Sequence, residues 1–108
     1  YDVALSAIGV VGEQKIECEM RDLSKGGCRI VTSILAKTMQ IGDKLTVHIT
    51  HHGKAIPSIP PVAGTICNLQ SSQHYAKYGL KFNDEGQNNV KTLLAKLKFD
   101  GSKLALKV

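Results

Sequence analysis

Six consecutive residues stand out for their chemistry: Asp22-Leu23-Ser24-Lys25-Gly26-Gly27. Asp22 brings a carboxylate that accepts hydrogen bonds, and Ser24 a hydroxyl that donates or accepts. Gly26-Gly27 permits positive φ and lets another group approach the main chain closely. An acceptor, a donor and an open stretch of backbone together suit a purine edge or a phosphate. The same residues also suit a plain strand-to-strand connection, because Asp and Ser bond to nearby amides in Asx and Ser turns. Arg21 and Arg29, on either side, are the only two arginines of the chain.

Other groups of reactive side chains are weaker. His48, His51 and His52 form an HxxHH cluster, but His48 falls on the outward face of a predicted strand and the pair falls in its turn. No carboxylate or cysteine lies at ligand spacing, so no metal site is expected. Ser24 has no GxSxG context, no carboxylate pair stands out and no Walker-type phosphate loop is present, so an enzyme is not expected. Cys18, Cys28 and Cys67 are odd in number and widely spaced, without a CxxC pair. They read as mostly buried free thiols of a reducing cytosol, with a Cys18–Cys28 disulfide left open.

The elements that must hold these residues follow from periodicity. Ile16, Cys18 and Met20 alternate with charges, and Leu45, Val47 and Ile49 alternate with polar residues, the period of half-buried strands. Val3 to Val11 is more apolar and reads as a strand covered on both faces. Cys28 to Thr32, Val62 to Leu69 and Ala76 to Phe82 bring the set to about six strands. Gly42-Asp43 marks a turn, and His51-His52-Gly53-Lys54 a hairpin tip. Ile56 to Pro61 is expected to be extended, since proline disfavours helix at the residue before it. Val90, Leu93, Leu94 and Leu97 then fall on one face of a helix. Asn83 or Asp84 caps its start, and Gly101 is the expected stop. Leu104, Leu106 and Val108 alternate again too briefly to assign.

Strands first and one helix last predict a mainly β domain: a six-stranded antiparallel barrel with a C-terminal α-helix. A length of 108 residues suits one domain, residues 1–108. Tyr1 stands where a methionine would, so this domain reads as the C-terminal part of a longer chain. No segment approaches the roughly 20 apolar residues of a membrane span. The net charge of +5 is carried by scattered lysines, which permits an anionic partner without requiring one. Aromatics are scarce and tryptophan is absent, so base-stacking on a nucleic acid polymer is not expected.

Asp22-Leu23-Ser24-Lys25-Gly26-Gly27 resembles the D/N-x-S-x-x-G motif of PilZ domains. Ile41-Gly42-Asp43-Lys44-Leu45 resembles their "pGd" turn, and Tyr78-Gly79-Leu80-Lys81-Phe82 their late "GlxF" strand. Val62 to Ile66 sits where the preceding strand belongs, and the order holds from about Val3 to Phe99. The resemblance implies a PilZ-like, split-barrel-style fold and a cytoplasmic bacterial receptor for cyclic di-GMP. It implies no cofactor besides that ligand. Arg21, Asp22, Ser24, Gly26 and Gly27 are then the ligand-binding residues, with Asp22 and Ser24 on a guanine. The output would be motility, biofilm or virulence control, through an adjacent domain or protein partner, with a homodimer left open. The family's RxxxR motif, just before the first strand, is not in this chain and would lie upstream of Tyr1. Without it, the alternative is a ligand-free adaptor of the same fold.

Overall fold

The computed structural model describes residues 1–34, 39–100 and 103–106. Its strands are β1 (Ala4–Val11), β2 (Gln14–Arg21), β3 (Gly27–Ser33), β4 (Lys44–His51), β5 (Lys54–Ala55), β6 (Val62–Ser71) and β7 (Tyr75–Phe82). Helix α1 (Asp84–Ala95) follows, then β8 (Leu97–Asp100) and β9 (Lys103–Leu106). Six strands pair in the order β1-β2-β3-β7-β6-β4, and β4 pairs back onto β1, so the antiparallel sheet closes into a barrel. β5 extends β4 as a short hairpin, and β8 pairs β9 separately.

Alternation does most of the folding. Leu5, Met20, Ile30, Val47, Ile66 and Leu80 point inward, each no more than 3% exposed, from six different strands. Burying one such side chain contributes about 1.5–3 kcal/mol against leaving it in water. Tight turns fix the registers. Val11 faces Gln14 across Gly12, whose φ is 59°. His51 faces Lys54 across His52 and Gly53, both left-handed at 52° and 78°. Two successive positive φ values match the right-handed twist of a two-residue hairpin. At Gly42, φ 98°, the chain turns into β4, with Asp43 N–H donating to Gln40 O at 3.0 Å.

Four expectations change. β1 is covered on its inner face only; Ala4 and Ser6 are exposed. Residues 56–61 are not simply extended, because Ile59 N–H donates to Ile56 O at 3.1 Å and Pro57-Ser58 form a turn. The helix stops earlier than its periodicity suggests: Lys96 is its C-cap, and Leu97, buried at 6% exposure, begins β8. Leu97 is apolar because the strand buries it, so it continues the helical spacing without being helical. Gly101, the expected stop, and Val108 lie outside the described residues. Lastly, the thiols are not uniformly buried: Cys28 is buried, Cys18 half-buried and Cys67 exposed, and all three are free.

Asn83 caps α1, its Oδ1 accepting from Gly86 N–H at 2.7 Å, with Asp84 and Glu85 in the first turn. Acidic residues there complement the helix dipole. Val90 and Leu93 are fully buried in the same core as Val62 and Phe82. The helix seats its first turn directly on β6. Asn83 N–H donates to Ala63 O at 3.1 Å, and a Cβ on Gly86 would collide with that same carbonyl.

Candidate ligand-binding site

The segment from Arg21 to Gly27 carries the chain from β2 to β3. Its conformation begins at Asp22, which is left-handed at φ 51°. Aspartate is among the few residues that tolerate this region. Leu23, fully buried, pins the turn to the core. The turn closes on itself at the next residue. Ser24 N–H donates to Gly27 O at 2.8 Å, Ser24 Oγ donates to the same oxygen at 3.0 Å, and Gly27 N–H donates back to Oγ at 3.2 Å. Gly26 O accepts from Phe82 N–H at 2.9 Å, which ties the turn to the end of β7.

The two glycines serve a purpose different from the one expected. Neither has a positive φ. Gly27 is opposite Lys81 in the β3–β7 ladder, and an added Cβ would run into Leu80 O. Gly26 has nothing within 4 Å of where its Cβ would be. Close approach, at Gly27 alone, is what the pair provides, and the left-handed residue is Asp22.

Asp22, Ser24, Gly26 and Gly27 line one end of an open hollow of about 440 Å³. Arg21 is not among its lining residues; its guanidinium pairs with Glu19 on the same strand. Arg29 does line it, with Nε 3.6 Å from Asp22 Oδ2. Both partners are about half exposed, so the pair contributes at most about 1 kcal/mol and is readily exchanged for a ligand group.

The far wall comes from β6 and β7 and was not found by sequence reasoning. Lys77, Gly79 and Lys81 alternate outward along β7, while Ala76, Tyr78, Leu80 and Phe82 are buried. β6 contributes Cys67, Asn68 and Gln70. Its register slips between Ile66 and Asn68, a bulge of the kind that re-aims side chains. Lys77, Lys81 and Arg29 surround the hollow with positive charge, against the single carboxylate of Asp22. The period-two pattern of β7 was a usable signal for this wall; its pairing with β3 was not. Among the described residues, no group of three or more His, Cys, Asp or Glu is placed to hold a metal ion.

A closed six-stranded barrel with one helix, and a D-x-S-x-x-G turn fastened to the end of β7, define a class of domain. The family model described as PilZ domain matches residues 1–100, and the chain belongs to that family. One relative, a cyclic di-GMP binding protein of Vibrio cholerae serotype O1, is 47% identical over 106 residues. The match covers 98% of this chain and 42% of the relative, so the chain spans under half of that protein's length. Among the described residues, no helix is long and apolar enough to cross a membrane.

Proposed function

We propose that this domain is a cyclic di-GMP receptor module that performs no chemistry of its own. The observation that carries the reading is the Asp22–Gly27 turn, whose carboxylate, hydroxyl and bare backbone line the same cationic hollow. A guanine offers two adjacent N–H donors on its Watson–Crick edge, which match the carboxylate of Asp22. The dianionic ligand suits the three cations around it. The name of the Vibrio cholerae relative supports the same assignment, and the family's RxxxR motif would belong to the segment upstream of Tyr1. Binding orders that upstream segment against the barrel and shifts a neighbouring domain or partner in a bacterial cytoplasm, a population shift driven by differential affinity. Motility, biofilm and virulence control are the outputs the resemblance points to.

The second reading, a ligand-free adaptor, is favoured by one observation. The only two arginines, Arg21 and Arg29, do not stand at RxxxR spacing, so the arginine half of the family's site is not among these 108 residues. Calorimetric titration with cyclic di-GMP separates the two, on this chain and on a form extended by its native upstream residues. Binding that is tight only in the extended form is the expected result. No heat from either form supports the adaptor and rejects the receptor.

A further inference from the structure

β6 is longer than the stretch of β4 it pairs with. Val62 to Thr65 lie against β4, and Ile66 bonds to the turn before it, with Gly42 N–H donating to Ile66 O at 2.7 Å and Ile66 N–H to Asp43 O at 2.9 Å. From Cys67 to Ser71 the strand keeps β7 on one side, and no described strand pairs with it on the other. All five of these residues are exposed, Leu69 among them at 38%. Ser72 N–H donates to Tyr75 O at 2.8 Å across the hairpin. By the alternation of an antiparallel ladder, Gln70 then turns its backbone groups to β7, while Leu69 and Ser71 turn theirs to the open side.

This edge carries none of the usual guards. Strands β5, β8 and β9 also pair on one side only, and each contains a lysine, Lys54, Lys98 and Lys103. Lysine on an open edge discourages pairing with another chain. From Ala55 to Ala76, by contrast, there is no Asp, Glu, Lys or Arg. Proline is absent from Val62 to Ser71 as well.

We propose that β6 pairs edge to edge with β6 of a second copy of this chain, antiparallel, about a two-fold axis at Gln70. Leu69 and Ser71 of each copy exchange N–H and C=O groups with Ser71 and Leu69 of the other, which makes one sheet continuous across two barrels. A second copy fits because an antiparallel edge is its own complement under a two-fold axis. It fits also because each chain carries a net charge of +5, and this edge brings two copies together without opposing like charges in the strand itself. The register carries the hairpin tip Gln73-His74 of each copy to the Ile41-Gly42 turn of the other, where Ile41 is 64% exposed. The pairing goes beyond the receptor reading and does not depend on it.

The test is sedimentation equilibrium of this chain from about 10 μM to about 1 mM, the range of a small interface. Dimer is expected to accumulate across that range. Raising salt should strengthen it, because the net charges that repel are screened. A monomer throughout, or a dimer that salt dissociates, overturns the proposal. Ser71→Pro removes an outward N–H that β7 does not use, and should weaken the dimer at least about tenfold while the barrel stays folded. Gln70→Lys sets like charges opposite each other on the axis and should also weaken it. Mixing Gln70→Lys with Gln70→Glu should restore dimer, which a merely damaged strand would not do. Dimerisation unchanged in both Ser71→Pro and Gln70→Lys overturns the assignment to β6. Amide exchange of the wild type needs no variant. Protection of Leu69 and Ser71 that rises with protein concentration supports the pairing, and exchange independent of concentration rejects it.

Discussion

At the scale of single residues, two neighbours in the turn carry opposite requirements. Asp22 combines a left-handed backbone angle with the carboxylate proposed above to meet a guanine, and the two are separable. Asp22→Gly keeps the left-handed angle without strain, so the thermal midpoint should move little while ligand affinity falls at least about tenfold. Asp22→Val loses both, adding about 1–2 kcal/mol of destabilisation from a β-branched residue at positive φ. Equal stability of the two variants would show that position 22 is not left-handed. Gly26 and Gly27 separate in the same way. Gly27→Ala should destabilise by about 1–3 kcal/mol, because the strand must shift away from Leu80 O. Gly26→Ala should be neutral or stabilise by up to about 1 kcal/mol through a less flexible unfolded chain. Chemical denaturation of the pair decides it, and a costly Gly26→Ala would contradict the open space beside it.

At the scale of elements, the helix start shows why local propensity misleads. Glycine is a poor helix former, and replacing Gly86 with Ala in an isolated helix would gain about 1 kcal/mol. Here the substitution should destabilise the domain instead, because the Cβ enters Ala63 O and forces α1 off β6. Asn83→Ala should cost about 1 kcal/mol through the lost cap. A Gly86→Ala protein that melts higher than the wild type would show the helix to be free of the strand. The same elements show what the chain reveals on inspection. Alternation of Ile16, Cys18 and Met20, and of Leu45, Val47 and Ile49, was enough for the strands, and paired turn residues at His52-Gly53 for the hairpin. The end of α1 was not legible, because Leu97 is buried as a strand residue at a helical spacing. The turn half of the site was legible, since its residues are contiguous. The β7 half was not, because only the strand order places Arg29 opposite Gly79, and that order is a property of the closed sheet.

At the scale of the whole molecule, burial of thiols couples stability to alkaline pH. Burial pushes the Cys18 thiol up from 9.0 to about 11, and also raises Cys28. The folded protein thus holds these protons more tightly than the unfolded chain. The associated stability is fully present below about pH 9 and is lost as pH rises towards 11. For Cys18 alone the loss approaches about 3 kcal/mol, at 1.36 kcal/mol per unit. Urea titrations at about pH 8 and about pH 10.5 should show it. A Cys18→Ala variant, whatever its starting stability, should lose less between those two values. A variant that loses as much as the wild type would place the alkaline sensitivity elsewhere.

The return of β4 onto β1 has a further consequence, for time. In an open sheet, amide hydrogens exchange first along the outer strands, and protection deepens towards the middle. A ring has no outer strand: each of its six members must leave two neighbours at once to open. Exchange from β1, β2, β3, β4, β6 and β7 should therefore proceed through one shared opening event, with similar protection around the circumference. The β8–β9 hairpin, which stands outside the ring, should exchange much sooner.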